Sequence, residues 1–231
     1  MKIINAKRKE LEIKAVNLIT QRTHELLKTQ PHVILAIPGG RSISGIFNIL
    51  KHQNIPWNKV HIFMVDERLS KAEDSQTNFR QAEKEFLEYL VKQNKILRKN
   101  LHPYTYFNFP NDKGPNAYRN ELKELSDRFD ITILSSGEDG HVGSLFPNHD
   151  SIKNPSDFFI ISNDSPKPPA RRLTASRKLL KKSKTAILLF FGEEKAKALK
   201  NFQDKNLSIT DCPAKLVHEI EDSHIFTDLS I

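Results

Sequence analysis

Cysteine, methionine and tryptophan are scarce in this chain: its 231 residues hold one Cys, two Met and one Trp, with only eight Gly. The lone Cys212 excludes an internal disulfide and suits a reducing compartment. No apolar run is long enough to cross a bilayer. The opening stretch MKIINAKRKELEIKAV turns charged too early for a signal-peptide core, so the expected location is cytoplasmic. Zinc-finger spacing, RNP-like runs and a recognition helix are missing as well. The net charge of +8 therefore does not by itself mark a nucleic-acid binder. The lysines spread along helices as solvated faces, and neither a nucleic-acid nor a membrane partner is expected. A positive field would still raise the encounter rate with an anionic substrate.

What is present is ordinary globular composition, 38% hydrophobic and 28% charged. The length suits one large α/β domain over residues 1–231. Leu11, Ala15, Val16, Leu18, Ile19, Leu26 and Leu27 recur at near-helical spacing and predict a first helix over residues 6–27. Compact apolar runs at residues 32–37, 60–65, 131–134 and 185–191 predict buried strands, with weaker strand signals at 101–107, 158–161 and 224–226. Helical patterns follow Ser44, Asn78, Pro115 and Gly192, a short one surrounds Leu179 and Leu180, and another covers 214–220. Polar residues 69–77 and 112–114 read as a loop and a turn. Strands alternate with helices and no run of hairpins is visible. The expected fold is α/β, Rossmann-like, with a mainly parallel sheet covered by helices on both faces.

In such sheets ligands bind beyond the carboxyl ends of the strands, so the residues there matter most. The strand at 131–134 breaks into Ser135, Ser136, Gly137, Glu138, Asp139, Gly140 and His141. The strand at 60–65 ends in Asp66, Glu67 and Arg68. Arg68 offers a planar fork suited to phosphate oxygens, and Asp66 can orient a hydroxyl or Arg68 itself. The first strand leads to Gly39, Gly40, Arg41 and Ser42, a glycine turn before a helix, which is an anion-site arrangement. It is neither a Rossmann fingerprint nor a Walker A loop, since Ile46 and Phe47 stand where Lys and Ser/Thr are required. Lys195 opens a helix against its dipole, so it either faces an anion or lies on a solvated surface. The loop over 147–172 is long and expected near the site. Each motif alone also has a plain explanation: a tight turn for Gly39-Gly40, a surface ion pair for Asp66–Arg68, and a loop histidine bonded to a carbonyl for His141.

Taken in order, the glycine turn, VHIFMVDER with the later Asn78, FDITILSSGEDGHVGSLFP, SPKPPARRLT, GEEKAKAL and CPAKL resemble the 6-phosphogluconolactonases of the pentose phosphate pathway. That family is related in fold to glucosamine-6-phosphate deaminases and ribose-5-phosphate isomerases. The resemblance covers residues 38–228, and its specific pieces are VDER with Asn78 and G-x-D-G-H-x-x-S-L-F-P at 137–147. The deaminases match less well: they typically carry F-N-E-P where this chain has Leu145, Phe146 and Pro147 after Ser144, and D-E-Y in place of Asp66-Glu67-Arg68. The chain departs from the lactonase pattern at Pro38, Arg41, Ser135, Val142 and Gly143, and none of these changes removes a group the chemistry requires.

The resemblance implies hydrolysis of 6-phospho-D-glucono-1,5-lactone to 6-phosphogluconate, with His141 as the general base on water and Asp139 orienting its ring or raising its basicity. It implies substrate and phosphate binding by Gly39, Gly40, Ser42, Asp66, Arg68, Arg172 and Lys195. The S-P-K-P-P-x-x-R spacing favours Arg172, with the neighbouring Arg171 as the alternative. No cofactor and no metal are implied, and His141 with His149 has no recognised zinc spacing. The expected assembly is a monomer or small homo-oligomer acting on a small sugar phosphate. The alternatives are an amino-sugar phosphate isomerase or deaminase, and a phosphosugar-binding protein without turnover.

Overall fold

The computed structural model describes residues 2–69, 77–104 and 114–230. Seven strands form one parallel sheet: β1 (Lys2–Asn5), β2 (Val33–Ile37), β3 (Val60–Met64), β5 (Leu101–His102), β6 (Ile131–Ser135), β9 (Thr185–Phe190) and β10 (Asp222–Thr227). Their order across the sheet is β1-β10-β9-β6-β2-β3-β5. Alternation along each strand explains why both faces are covered. Ile34 and Ala36 of β2 enter one core with Leu134, Leu188 and Phe190. Val33, Leu35 and Ile37 enter the other, with Ile133, Ile187 and Leu189.

The second core is closed by α1 (Arg8–Leu26) through Leu11, Ala15, Val16 and Ile19, and by α2 (Ser44–Leu50) through Ile46, Phe47 and Leu50. A continuous helical run, α3 (Asn78–Ala82), a π turn (Glu83–Leu87) and α4 (Glu88–Lys92), adds Phe86, which stacks on Phe47 with ring centroids 5.1 Å apart and meets Trp57 edge-on at 5.4 Å. The first core is covered by α5 (Gly114–Leu125), which brings Tyr118 and Leu122, and by α7 (Arg177–Lys181) and α8 (Ala196–Gln203). A short α6 (Asp150–Lys153) follows the loop after β6. Residues expected to be helical at 214–220 form a 3-10 helix, Pro213–Glu219.

The structure departs from the sequence expectation in two places. Strand β1 was not expected: it is short, largely exposed and polar at both ends, and only its parallel pairing with β10 defines it. The antiparallel pairing that the sequence did not suggest is a second sheet of three strands, β4 (Asp66–Arg68), β8 (Arg172–Ala175) and β7 (Phe159–Ser162), in the order β4-β8-β7. Charged β4 reads as a strand end because its burial comes from pairing with β8, not from apolar side chains. Val65 joins the two sheets: its N–H donates to Ile37 O of β2, and its carbonyl accepts from Ala175 N of β8. The loop expected over 69–77, the outer part of the strand expected over 101–107 and the turn at 112–114 lie wholly or partly outside the described residues.

Candidate functional site

Chain order reverses between β2 and β6. From β2 the chain proceeds to β3 and β5 on one side, while β6, β9 and β10 build outward on the other. Such a switch point opens a crevice at the carboxyl ends of the strands. A cavity lies there, lined by residues 38–42 after β2, by Ser135, Ser136, Gly137, His141 and Gly143 at and after the end of β6, by Asp66, Arg68 and Asn78, by Lys167 and Arg172, and by Glu194 and Lys195 after β9.

The loop after β6 is closed by its own backbone. Gly137 N–H donates to His141 O at 2.8 Å, Gly140 N–H returns to Gly137 O at 3.1 Å, and Gly140 O is held by Ala214 N–H at 2.8 Å. The His141 ring packs against Gly137: a Cβ at that glycine would stand 2.0 Å from Nδ1, so no other residue fits there without moving the ring. His141 Nδ1 donates to Asp139 Oδ1 at 2.5 Å, and the same oxygen accepts His141 N–H at 3.2 Å. Burial alone would raise the Asp139 carboxyl. The hydrogen bond and charge of His141 outweigh it and hold Asp139 well below the usual carboxylate range. Asp139 stands behind the ring and does not line the cavity; Nε2 of His141 has no protein partner among the described residues.

The small sheet supplies the opposite wall. Asp66, 6% exposed, accepts from Ser144 Oγ at 2.8 Å and from Asn78 Nδ2 at 3.2 Å, so it ties the histidine loop to α3. Ser144 N–H also donates to Thr174 Oγ1 of β8 at 3.1 Å. Arg172 is 8% exposed, and most of its fork points away from the cavity: Nε donates to Pro169 O at 2.9 Å, and Nη2 to Pro168 O at 2.8 Å and Lys167 O at 3.3 Å. Its Nη1 faces Asp66 at 4.0 Å. Arg172 thereby fixes the proline loop that carries Lys167, whose Nζ lies 4.0 Å from Asp139 Oδ2. Arg171 instead donates to Asn163 Oδ1 from outside the cavity.

The glycine turn is built around two side chains of α3. Gly39 packs on Asn78, where a Cβ would come within 2.2 Å of Oδ1. Gly40, at φ 94°, is clasped by Gln81: its N–H donates to Oε1 at 2.8 Å and its carbonyl accepts from Nε2 at 3.0 Å. The Gly40 amide is therefore committed within the protein. Lys195 caps α8 after a 3-10 turn (Glu193–Lys195); burial lowers its ammonium, and the carboxylates of Glu138 and Glu194 pull it back up.

Of the nine residues expected from sequence, eight line this cavity and Asp139 backs it. Sequence reading passed over Lys167, which it met only as part of the proline motif used to choose Arg172, and over Gln81, whose role is visible only once the helix docks. The lining carries five cations, Arg41, Arg68, Lys167, Arg172 and Lys195, against the carboxylates of Asp66 and Glu194. That surplus, in a partly enclosed crevice, suits an anionic ligand. Among the described residues no group of three or more His, Cys, Asp or Glu side chains is arranged to hold a metal ion, and no helix is long and apolar enough to cross a membrane.

Comparison with known proteins places this architecture. The chain is 33% identical to a 6-phosphogluconolactonase of Borreliella burgdorferi over 84% of this chain and 83% of that protein. It is 32% identical to the 6-phosphogluconolactonase of Thermotoga maritima over 80% of each. The crystal structure of 6-phosphogluconolactonase from Thermotoga maritima superposes with a TM-score of 0.85 over 98% of both chains at 25% identity. A monomeric glucosamine-6-phosphate deaminase shares the fold, with a TM-score of 0.78 at 20% identity over 98% of this chain and 97% of that one. The family model for glucosamine-6-phosphate isomerases and 6-phosphogluconolactonase matches residues 6–226, and the chain belongs to that family.

Proposed function

We propose that this chain hydrolyses 6-phospho-D-glucono-1,5-lactone to 6-phosphogluconate, the ring-opening step of the oxidative pentose phosphate pathway. The observation that carries the reading is a histidine braced on a carboxylate with its ring on a cavity rich in cations. The substrate needs both: its ester needs a base to activate water, and its phosphate needs cations. The 33% and 32% identical relatives bearing that name support the same choice.

In this mechanism Asp139 keeps the Nδ1 proton of His141 in place, so Nε2 is the basic nitrogen. Nε2 takes a proton from water as its oxygen attacks the lactone carbonyl. The tetrahedral intermediate then expels the ring oxygen, which takes the proton back from Nε2 and becomes a hydroxyl. Asp139 stabilises the imidazolium formed between the two steps. Arg68, Lys167 and Lys195 hold the phosphate with Nη1 of Arg172. The glycine turn contributes through Gly39, Ser42 and the amides not committed to Gln81. Binding at the remote phosphate fixes the lactone for attack. Asp66 orients the sugar edge from the small sheet.

Freshly generated lactone opens spontaneously, so the enzyme-free rate is the reference. Wild type is expected to exceed it clearly, and His141→Ala to lose about 10²- to 10⁴-fold of kcat. A folded wild type that only matches the spontaneous rate would overturn the reading.

A further inference from the structure

We propose that Glu67 is a positioning residue of this cavity: it holds Arg68 and Asn78 in place by binding the backbone that carries them. The inference rests on the lactonase reading for what is bound, but its geometry is independent of it. Along β4, alternate side chains point to opposite sides. Asp66 and Arg68 line the cavity, whereas Glu67 does not and is 3% exposed. A buried carboxylate needs partners, and among the described residues Glu67 finds its hydrogen-bond partners on the main chain. Its Oε1 accepts Arg68 N–H at 2.7 Å and Asn78 N–H at 2.6 Å; its Oε2 accepts Phe79 N–H at 2.8 Å.

Those bonds connect the end of β4 to the first turn of α3 across the intervening residues 69–77. They also set what Asn78 does next. Its side chain donates to Asp66 O at 3.0 Å and to Asp66 Oδ1 at 3.2 Å, and it fills the space beside Gly39 that a Cβ would need. One carboxylate outside the cavity thus fixes the backbone of one cation in its wall and, through Asn78, the orientation of Asp66 and the seat of the glycine turn. The His141–Asp139 contact lies in the loop after β6, which meets Asp66 through Ser144 but is also held by its own backbone bonds, by Ala214 N–H and by Thr174. Loss of the Glu67 bonds should therefore act on substrate affinity more than on the proton-transfer step.

A helix cap that only stabilises the fold would destabilise without that bias, so the test needs a matched control. Asp130 is such a group: it is 4% exposed and accepts from Ile34 N–H at 2.9 Å and Gln30 Nε2 at 2.9 Å, just before β6 and at the opposite end of that strand from the cavity. Steady-state hydrolysis of 6-phosphogluconolactone and thermal melts would be compared for wild type, Glu67→Gln, Glu67→Ala and Asp130→Asn. The Gln side chain keeps one carbonyl oxygen for Arg68 and Asn78 but sets an amide group against Phe79 N–H. KM is expected to rise by about threefold in Glu67→Gln and about thirtyfold in Glu67→Ala, with kcat within about threefold of wild type. Asp130→Asn should lower the melting temperature and leave KM within about twofold.

Glu67 variants that melt earlier at unchanged KM would overturn the proposal, as would an equal rise of KM in Asp130→Asn. Should Glu67→Ala fail to fold, Glu67→Gln decides alone. Should wild type prove to have no lactonase activity, the same variants would be titrated with 6-phosphogluconate by calorimetry. Weaker binding in the Glu67 variants alone then upholds the positioning role while the lactonase reading falls. Equal binding across the series, or none by wild type, overturns it.

Discussion

His141 and His102 both lean on a carboxylate through Nδ1, His141 on Asp139 at 2.5 Å and His102 on Glu121 at 3.0 Å. What differs is the far side of each ring. His102 Nε2 is taken by His61 Nδ1 at 3.0 Å, and its face stacks on Phe63 with centroids 4.0 Å apart. His32 meets His61 edge-on at 5.3 Å, which completes a closed cluster towards the amino ends of β2 and β3. His141 shows its second nitrogen to a cavity lined by cations at the carboxyl ends. A histidine–carboxylate pair is thus not a site in itself. It becomes one where the sheet topology leaves the other nitrogen exposed to a ligand and charge has been gathered to hold that ligand.

Removing the carboxylate from the cavity pair gives the largest effect in this comparison after the loss of His141 itself. Asp139→Asn is expected to lower kcat by about tenfold to a hundredfold while KM changes much less, because among the described residues Lys167, 4.0 Å away, is the one lining cation that faces Asp139. It also has a pH signature. The folded carboxyl lies below its ordinary value of 3.8, so its contribution to stability is present above that pH and is lost as pH falls through and beneath it. The melting-temperature gap between wild type and Asp139→Asn should hold from neutral pH down to about 5 and shrink below about 4. A gap that stays constant down to pH 3, or an unchanged kcat, would remove the distinction between the two pairs.

Much of this contrast is legible in the sequence, for a physical reason. Parallel strands buried on both faces leave unbroken apolar runs, so β2, β3, β6 and β9 and the polar residues at their ends stand out. Asp139 and His141 are two residues apart, which allows their contact without requiring it; only the folded loop, with the ring seated on Gly137, supplies it. Partners far apart in the chain were not legible. Glu67 to Asn78 and Gln81 to Gly40 each depend on how separate elements dock, whereas Arg172 meets the carbonyls of Lys167, Pro168 and Pro169 just before it only once that loop has turned. Strand β4 stayed hidden because three charged residues carry no strand pattern; pairing with β8 gives them one. His102 gave no signal either, since its cluster is assembled from three strand neighbourhoods.

That cluster should respond to acid on its own terms. Burial first, then the charges of His102, His32 and Lys99, lower His61 from 6.5 to about 4. The unfolded chain then binds a proton that the folded one refuses, so stability falls as pH drops from about 6.5 to about 4. His61→Gln removes this titration. Its stability is expected to be lower than wild type at pH 7 but to decline less between pH 7 and pH 5, with kcat/KM at pH 7 unchanged. Denaturant melts at the two pH values measure the slope. Equal slopes in the two proteins would mean that His61 is not the group refusing the proton, and altered kcat/KM would mean that the two ends of the sheet communicate.

The smallest effect is the mirror image of the largest. Glu121→Gln makes the same chemical change beside His102 that Asp139→Asn makes beside His141, yet the Glu121 side chain is 47% exposed and water can replace its contact. The Gln carbonyl can still accept from His102 Nδ1, and the ring remains fixed by Phe63 and His61. Stability should change by about 0.5 kcal/mol or less, and kcat and KM should match wild type. Denaturant melts and steady-state kinetics beside Asp139→Asn make the comparison direct. If the two substitutions cost similar activity, the orientation of His141 is not what Asp139 provides; if only Asp139→Asn does, the carboxylate matters because of what its histidine faces.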